Sequence, residues 1–257
     1  MDSLSLLALL KPTFRFIADV GLVKRLMLYP FSAVLALFAL ERFVPVVSVA
    51  ETADFTWRMN FTMLAVFVLL LLYLAVALAY ETQRIVFFGK DKESGYYIPV
   101  FDGGLRGFIA EAFFVVLYAA PLAAVAGTAL VFGVNYFYPI PGNLRLYAGL
   151  ASVMVLPYFL LRFIFLLPAR VAGKSLSYGG AWRATRKVGA SAVLIFAGIW
   201  IAPLFAASVI ASLAGGFLGE SAIIFLMNFC SVVAALFSCV MQSAYLAYLY
   251  AAVVARN

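Results

Sequence analysis

Between Leu160 and Lys187 the sequence LLRFIFLLPARVAGKSLSYGGAWRATRK gathers six cations around Trp182: Arg162, Arg170, Lys174, Arg183, Arg186 and Lys187. A guanidinium binds carboxylate or phosphate through a planar fork of donors, and a lysine adds a mobile point charge. The chemistry these residues suit is anion binding, with a lipid headgroup or a partner's carboxylate as the anion. Arg162 stands six residues before Pro168, about 9 Å along a helix at 1.5 Å per residue. From there it can instead act as an anchor that snorkels its charge to the headgroups. Glu111 is a carboxylate at the entrance to an apolar stretch, five residues after Arg106 and just before AFFVVLYAAP. It reads either as a residue near the positive end of a helix dipole or as a partner for Arg162 or Arg84.

Catalytic chemistry finds little support. The chain has no histidine, which removes the commonest general base and the commonest metal ligand. No glycine loop of the phosphate-cradling type occurs, and no nucleophile is set beside a base. Cys230 and Cys239 lie nine residues apart in one apolar run, a spacing that suits neither a disulfide nor a metal grip. They are expected to be small packing residues. The residues give no reason to expect a metal, a cofactor or an enzymatic activity.

The elements that must position the cations are membrane helices. Of the 257 residues, 67% are hydrophobic and 11% charged, against about 25% charged in a soluble domain. A span needs about 20 apolar residues. Six are expected, over 26–48, 59–81, 108–134, 146–168, 189–213 and 222–251, as one all-α membrane domain covering 1–257. The first is interrupted by Glu41 and Arg42, and a shorter span ending at Leu40 is the alternative. The expected loops place fifteen Lys and Arg residues on one side and only Arg42, Arg58 and Arg145 on the other. The positive-inside rule then puts both termini in the cytoplasm. The net charge of +7 follows this topology and is no sign of nucleic-acid binding. The start, MDSLSLLALLKP, lacks the basic region of a cleaved signal peptide.

Finer features follow from spacing. KPTFRFIADVGLVKR (11–25) fits one interfacial helix, with Phe14, Ile17, Val20, Leu22 and Val23 towards lipid and Arg15, Lys24 and Arg25 towards phosphates. SYGGAWRATRK (177–187) is expected to behave similarly, capped by Ser177, with Tyr178 and Trp182 sharing a face. Tyr245, Tyr248 and Tyr250 are expected at the membrane interface, opposite a turn at 136–147. The exits QRIVFFGKDK (83–92) and LRFIFLLPAR (161–170) resemble a faint internal repeat. Pro121, Pro157 and Pro203 lie within three consecutive spans and are expected to bend them. Ala119–Ala123–Gly127, Ala207–Ala211–Gly215 and Ala234–Ser238 are small-residue ladders that allow close helix approach.

Arg162, Pro168, Ala169, Ala181, Trp182, Thr185 and Arg186 follow a pattern in which a helix ends in Arg, apolar residues and Pro-Ala. A polar stretch, Ala-Trp, Thr and a basic residue then precede the next span. This resembles a loose group of bacterial six-helix inner-membrane proteins, which includes the membrane domain fused to some glycerophosphodiester phosphodiesterases. QRIVFFGK is similar to a segment of that group in which His-Arg is expected; Gln83 replaces the histidine. The resemblance implies a six-helix bundle in a bacterial inner membrane. It does not imply phosphodiesterase activity, because the catalytic domain is missing. The leading expectation is a non-enzymatic protein that organises anionic lipids or partner membrane proteins through a basic cytoplasmic face. The alternatives are a small transporter or channel built on the prolines and Glu111, and an accessory subunit docking through its ladders.

Overall fold

The computed structural model describes residues 3–43, 53–89, 101–137, 155, 158–186, 188–215 and 220–254. Among these residues all regular structure is helical. The helices are α1 (Ser3–Ala8), α2 (Leu10–Ala18), α3 (Val20–Phe43), α4 (Ala53–Phe88), α5 (Gly103–Phe137), α6 (Leu166–Val171), α7 (Tyr178–Arg186), α8 (Gly189–Gly215) and α9 (Glu220–Val253). A further helical stretch, 158–163, precedes α6. Four segments are long and apolar enough to cross a membrane: Val20–Leu37, Ala65–Phe88, Gly103–Ala129 and Leu226–Val253. Leu194–Ile210 is a shorter apolar helix. The chain is thus a multi-pass membrane protein. Helices satisfy their own backbone polar groups, as hydrocarbon requires.

Residues 146–154, 156 and 157 of the expected span at 146–168, Pro157 among them, lie outside the described residues, as do Lys187 and most of the expected turn at 136–147. The first span begins earlier than expected. Asp19 breaks the predicted interfacial helix in two, because its Oδ1 accepts from the Leu22 amide at 3.1 Å and caps α3. Lys24 and Arg25 therefore belong to the long helix. Of the residues expected on lipid, Phe14 and Val20 are exposed but Leu22 is buried. α2 buries Thr13 and Phe16 instead. The second span also runs further, to Phe88, and stops where Gly89 takes a φ of +84°.

The chain forms two compact units, each assembled from separated segments. One comprises 1–10, 101–196 and 246–257; the other comprises 11–100 and 197–245. In the second, α3 packs on α4, Phe31 meets Phe229 of α9 edge-on at 5.3 Å, and the Cys239 thiol donates to the Ala75 carbonyl at 3.2 Å. Cys239 thus ties α9 to α4 as a packing residue. In the first, α5 packs on α6, and Phe165 meets Tyr250 at 5.9 Å. Tyr245 and Tyr250, expected at the lipid interface, are buried in protein, and Tyr248 is half-buried. Tyr250 packs on Phe165, just before α6, and Tyr245 is buried as well, so at these two positions the aromatic signal in α9 marks packing.

Helices α5 and α8 continue through Pro121 and Pro203 without a break. Ala119, Ala123 and Gly127 are buried, as are Ala234 and Ser238. Buried small residues at this spacing allow close helix approach.

α5 starts at a single side-chain cap. Asp102 Oδ1 accepts from the Leu105 amide at 2.7 Å. Asp102→Ala is expected to cost about 1 kcal/mol, read as a lower unfolding midpoint in detergent, with Asp102→Asn close to wild type.

Candidate functional site

The site lies in the unit that contains α5, α6 and α7, and it begins with a break in the helix carrying Arg162. The chain turns at Ile164 and Phe165 and resumes as α6. Pro168 therefore falls in the first turn of a new helix, where its missing N–H costs nothing. The expected straight run from Arg162 to Pro168 is not continuous. α6 ends in a Schellman motif: Lys174 N donates to Ala169 O at 2.9 Å and Gly173 N to Arg170 O at 3.2 Å. Gly173 has a φ of +69°, a left-handed conformation that favours glycine. This reversal leads the chain into α7, where Ser177 Oγ accepts from the Gly180 amide at 3.1 Å. The predicted cap is present.

α7 then returns against the residues before α6. Ala181 and Thr185 form its buried stripe, and Arg183 and Arg186 are exposed. Thr185 Oγ1 lies 2.9 Å from Ala181 O, 3.1 Å from Trp182 O and 3.2 Å from Arg162 O. Its one proton has three acceptors within reach, and the third ties α7 to the Arg162 backbone. Tyr178 and Trp182 do share a face. Both meet Phe163, at 6.2 and 5.6 Å between ring centroids. Tyr118 of α5 extends the stack, 4.5 Å from Tyr178.

Arg162 sits at the far end of this aromatic row. Its Cζ lies over the Tyr158 ring at 4.8 Å and over the Trp182 ring at 5.2 Å. Nη2 donates to Tyr158 Oη at 2.6 Å. Nε and Nη1 are buried and, among the described residues, have no hydrogen-bond acceptor. Arg162 is half-buried, and its guanidinium is held against ring faces. Beside it lies a small recess of about 20 Å³ whose polar lining is Tyr158, Arg162 and Thr185, and whose apolar lining includes Val188, Phe196 and Leu249.

The other predicted cations are separate from it. Arg170 is exposed, and its guanidinium lies over Gly107 of α5, where an added Cβ would stand 2.6 Å from Nη2. Lys174, Arg183 and Arg186 are exposed, and Arg183 Nε donates to Gly179 O at 3.3 Å. Glu111 is half-buried, and among the described residues no ion pair joins it to Arg162. Arg84 bonds Glu81 at 3.2 Å.

One polar group escaped the sequence reading. Glu81, Thr82 and Gln83 are buried, and Thr82 Oγ1 and Gln83 Oε1 lack partners among the described residues. A span that ends at residue 81 puts Thr82 and Gln83 in a loop. The signal was present: the polar run ETQR is followed at once by apolar IVFF. The two exits also differ in structure. Arg84 lies within a helix that continues to Phe88, whereas Arg162 precedes a break.

The Tyr178 phenol is raised above the ordinary tyrosine pKa, first by burial, then by the Glu111 carboxylate and by Tyr118. The folded state holds this proton more tightly than the unfolded chain. Its stabilising effect is therefore full below about pH 10 and is lost as pH rises through the raised value. Glu111→Gln is expected to lower the Tyr178 titration towards the ordinary range. Phenolate absorbance, taken as the difference from Tyr178→Phe in each background, checks it. No family model, curated protein or solved structure matches the chain.

Proposed function

We propose that this protein is a non-enzymatic component of a bacterial inner membrane that organises anionic lipids, and through them partner membrane proteins, at a basic cytoplasmic face. The observation that carries the reading is the exposure of Arg170, Lys174, Arg183 and Arg186 on adjoining elements of one unit. α7 is short and amphipathic, its buried stripe turned to the protein and its arginines turned away. Such a helix suits the headgroup region. In this reading six spans cross the membrane, with Leu194–Ile210 and the segment at 146–168 joining the four longer helices. The strong bias of Lys and Arg supports cytoplasmic termini. The likeness of the Arg162–Arg186 segment to the bacterial six-helix group supports the same placement.

Each juxtamembrane cation attracts anionic lipid by about 1 kcal/mol. The combined variant Lys174→Gln, Arg183→Gln and Arg186→Gln is expected to co-purify with far less phosphatidylglycerol and with unchanged phosphatidylethanolamine. Lipid extraction and mass spectrometry of protein released from native membrane patches measure this. Equal phosphatidylglycerol in the folded variant would overturn the reading.

A further inference from the structure

Two buried nitrogens of the Arg162 guanidinium, Nε and Nη1, have no acceptor among the described residues. Arginine carries five N–H donors; Nη2 uses one on Tyr158 Oη, while the donors on Nε and Nη1 are buried and unanswered among the described residues. Ring faces attract the cation but do not accept hydrogen bonds as an oxygen does. Leaving charged donors unpaired and out of water is costly. The adjoining recess, about 20 Å³, admits an oxygen-sized group.

We infer that Arg162 is a binding site for one phosphate oxygen of an anionic phospholipid, held between Tyr158 and Trp182. The inference rests on the proposed lipid-facing function and adds a specific site to it. Phosphate fits because a charged oxygen is the acceptor that best offsets a desolvated guanidinium. A lipid fits better than a free ion, because a lipid phosphate already lies at the membrane interface, whereas a free phosphate must leave water on every side. The walls beyond Arg162, Tyr158 and Thr185 are apolar, including Val188, Phe196 and Leu249, and give a fully hydrated ion nothing in exchange for its water. The recess is too small to enclose a headgroup, so the site reads the phosphate and ignores what is esterified to it. Arg170, Lys174, Arg183 and Arg186, exposed on the same unit, would gather anionic lipid without themselves forming the site.

The test uses Trp182 as its own reporter. Trp57→Phe and Trp200→Phe leave it as the remaining tryptophan. The full chain in neutral detergent is titrated with short-chain phosphatidylglycerol, short-chain phosphatidic acid, inorganic phosphate and octanoate. Both phospholipids are expected to give a saturable change in Trp182 emission with affinities within about threefold. Arg162→Gln should weaken both at least tenfold, and Arg162→Lys should weaken them too, because a lysine does not reproduce the planar stack. The surface variant Lys174→Gln, Arg183→Gln, Arg186→Gln should retain the saturable site in detergent. Circular dichroism and the unfolding midpoint confirm that each variant is folded. An unchanged titration in folded Arg162→Lys and Arg162→Gln would overturn the site while leaving the surface reading intact. Equal binding of inorganic phosphate would overturn the lipid assignment, and equal binding of octanoate would overturn phosphate. Loss of the saturable Trp182 titration in the surface variant, with Arg162→Gln unchanged, would place recognition on the exposed cations and also overturn the site.

Discussion

The guanidinium of Arg162, set between the rings of Tyr158 and Trp182, is the contact around which the described basic region is arranged. A charge carried on an apolar segment must be compensated locally or drawn to the interface. Here it is compensated by ring faces and a phenol oxygen, and bringing the second ring to it takes a reversal of the chain. The helix breaks at Ile164 and Phe165, α6 runs six residues, and Gly173 turns the backbone through a left-handed conformation. α7 then delivers Trp182 to the cation and Thr185 to the Arg162 carbonyl. Each device is local, but together they serve one long-range contact.

The same economy of polar groups governs the helix ends. Asp19, Asp102 and Ser177 each accept from the amide three residues ahead, at 3.1, 2.7 and 3.1 Å. Each cap answers a donor that a helix start leaves open. Away from the ends, close packing takes over. Small residues in α5 and α9 are buried, and in membranes such residues let backbones approach where the hydrophobic effect gives no drive. Cys239 fits this pattern, small enough to approach α4 and polar enough to bond its backbone.

Several readings were legible in the residues because they depend on near neighbours. The Ser177 cap depends on residues three apart, and the shared face of Tyr178 and Trp182 on residues four apart. Other readings failed where local pattern and tertiary contact compete. Tyrosine near the end of a span suggests an interface anchor, yet Tyr245 and Tyr250 fill the core. A polar run after an apolar stretch suggests a loop, yet Thr82 and Gln83 are buried in a continuing helix. A regular alternation over 11–25 suggests one interfacial helix, yet Asp19 both ends that pattern and caps the next helix.

The sequence by itself determined that this is a helical membrane chain and that six of its eighteen Lys and Arg residues cluster between Arg162 and Lys187. Transfer of a segment into hydrocarbon is close to a sum over its residues, so composition and run length carry that information. Only the tertiary structure decided what the cations do individually. Arg162 is stacked and short of acceptors, Arg170 lies over Gly107, and Arg183 and Arg186 are exposed. The distinction rests on contacts between residues far apart in the chain, such as Arg162 with Trp182 and Gly107 with Arg170. Periodicity along one helix contains no information about those distances.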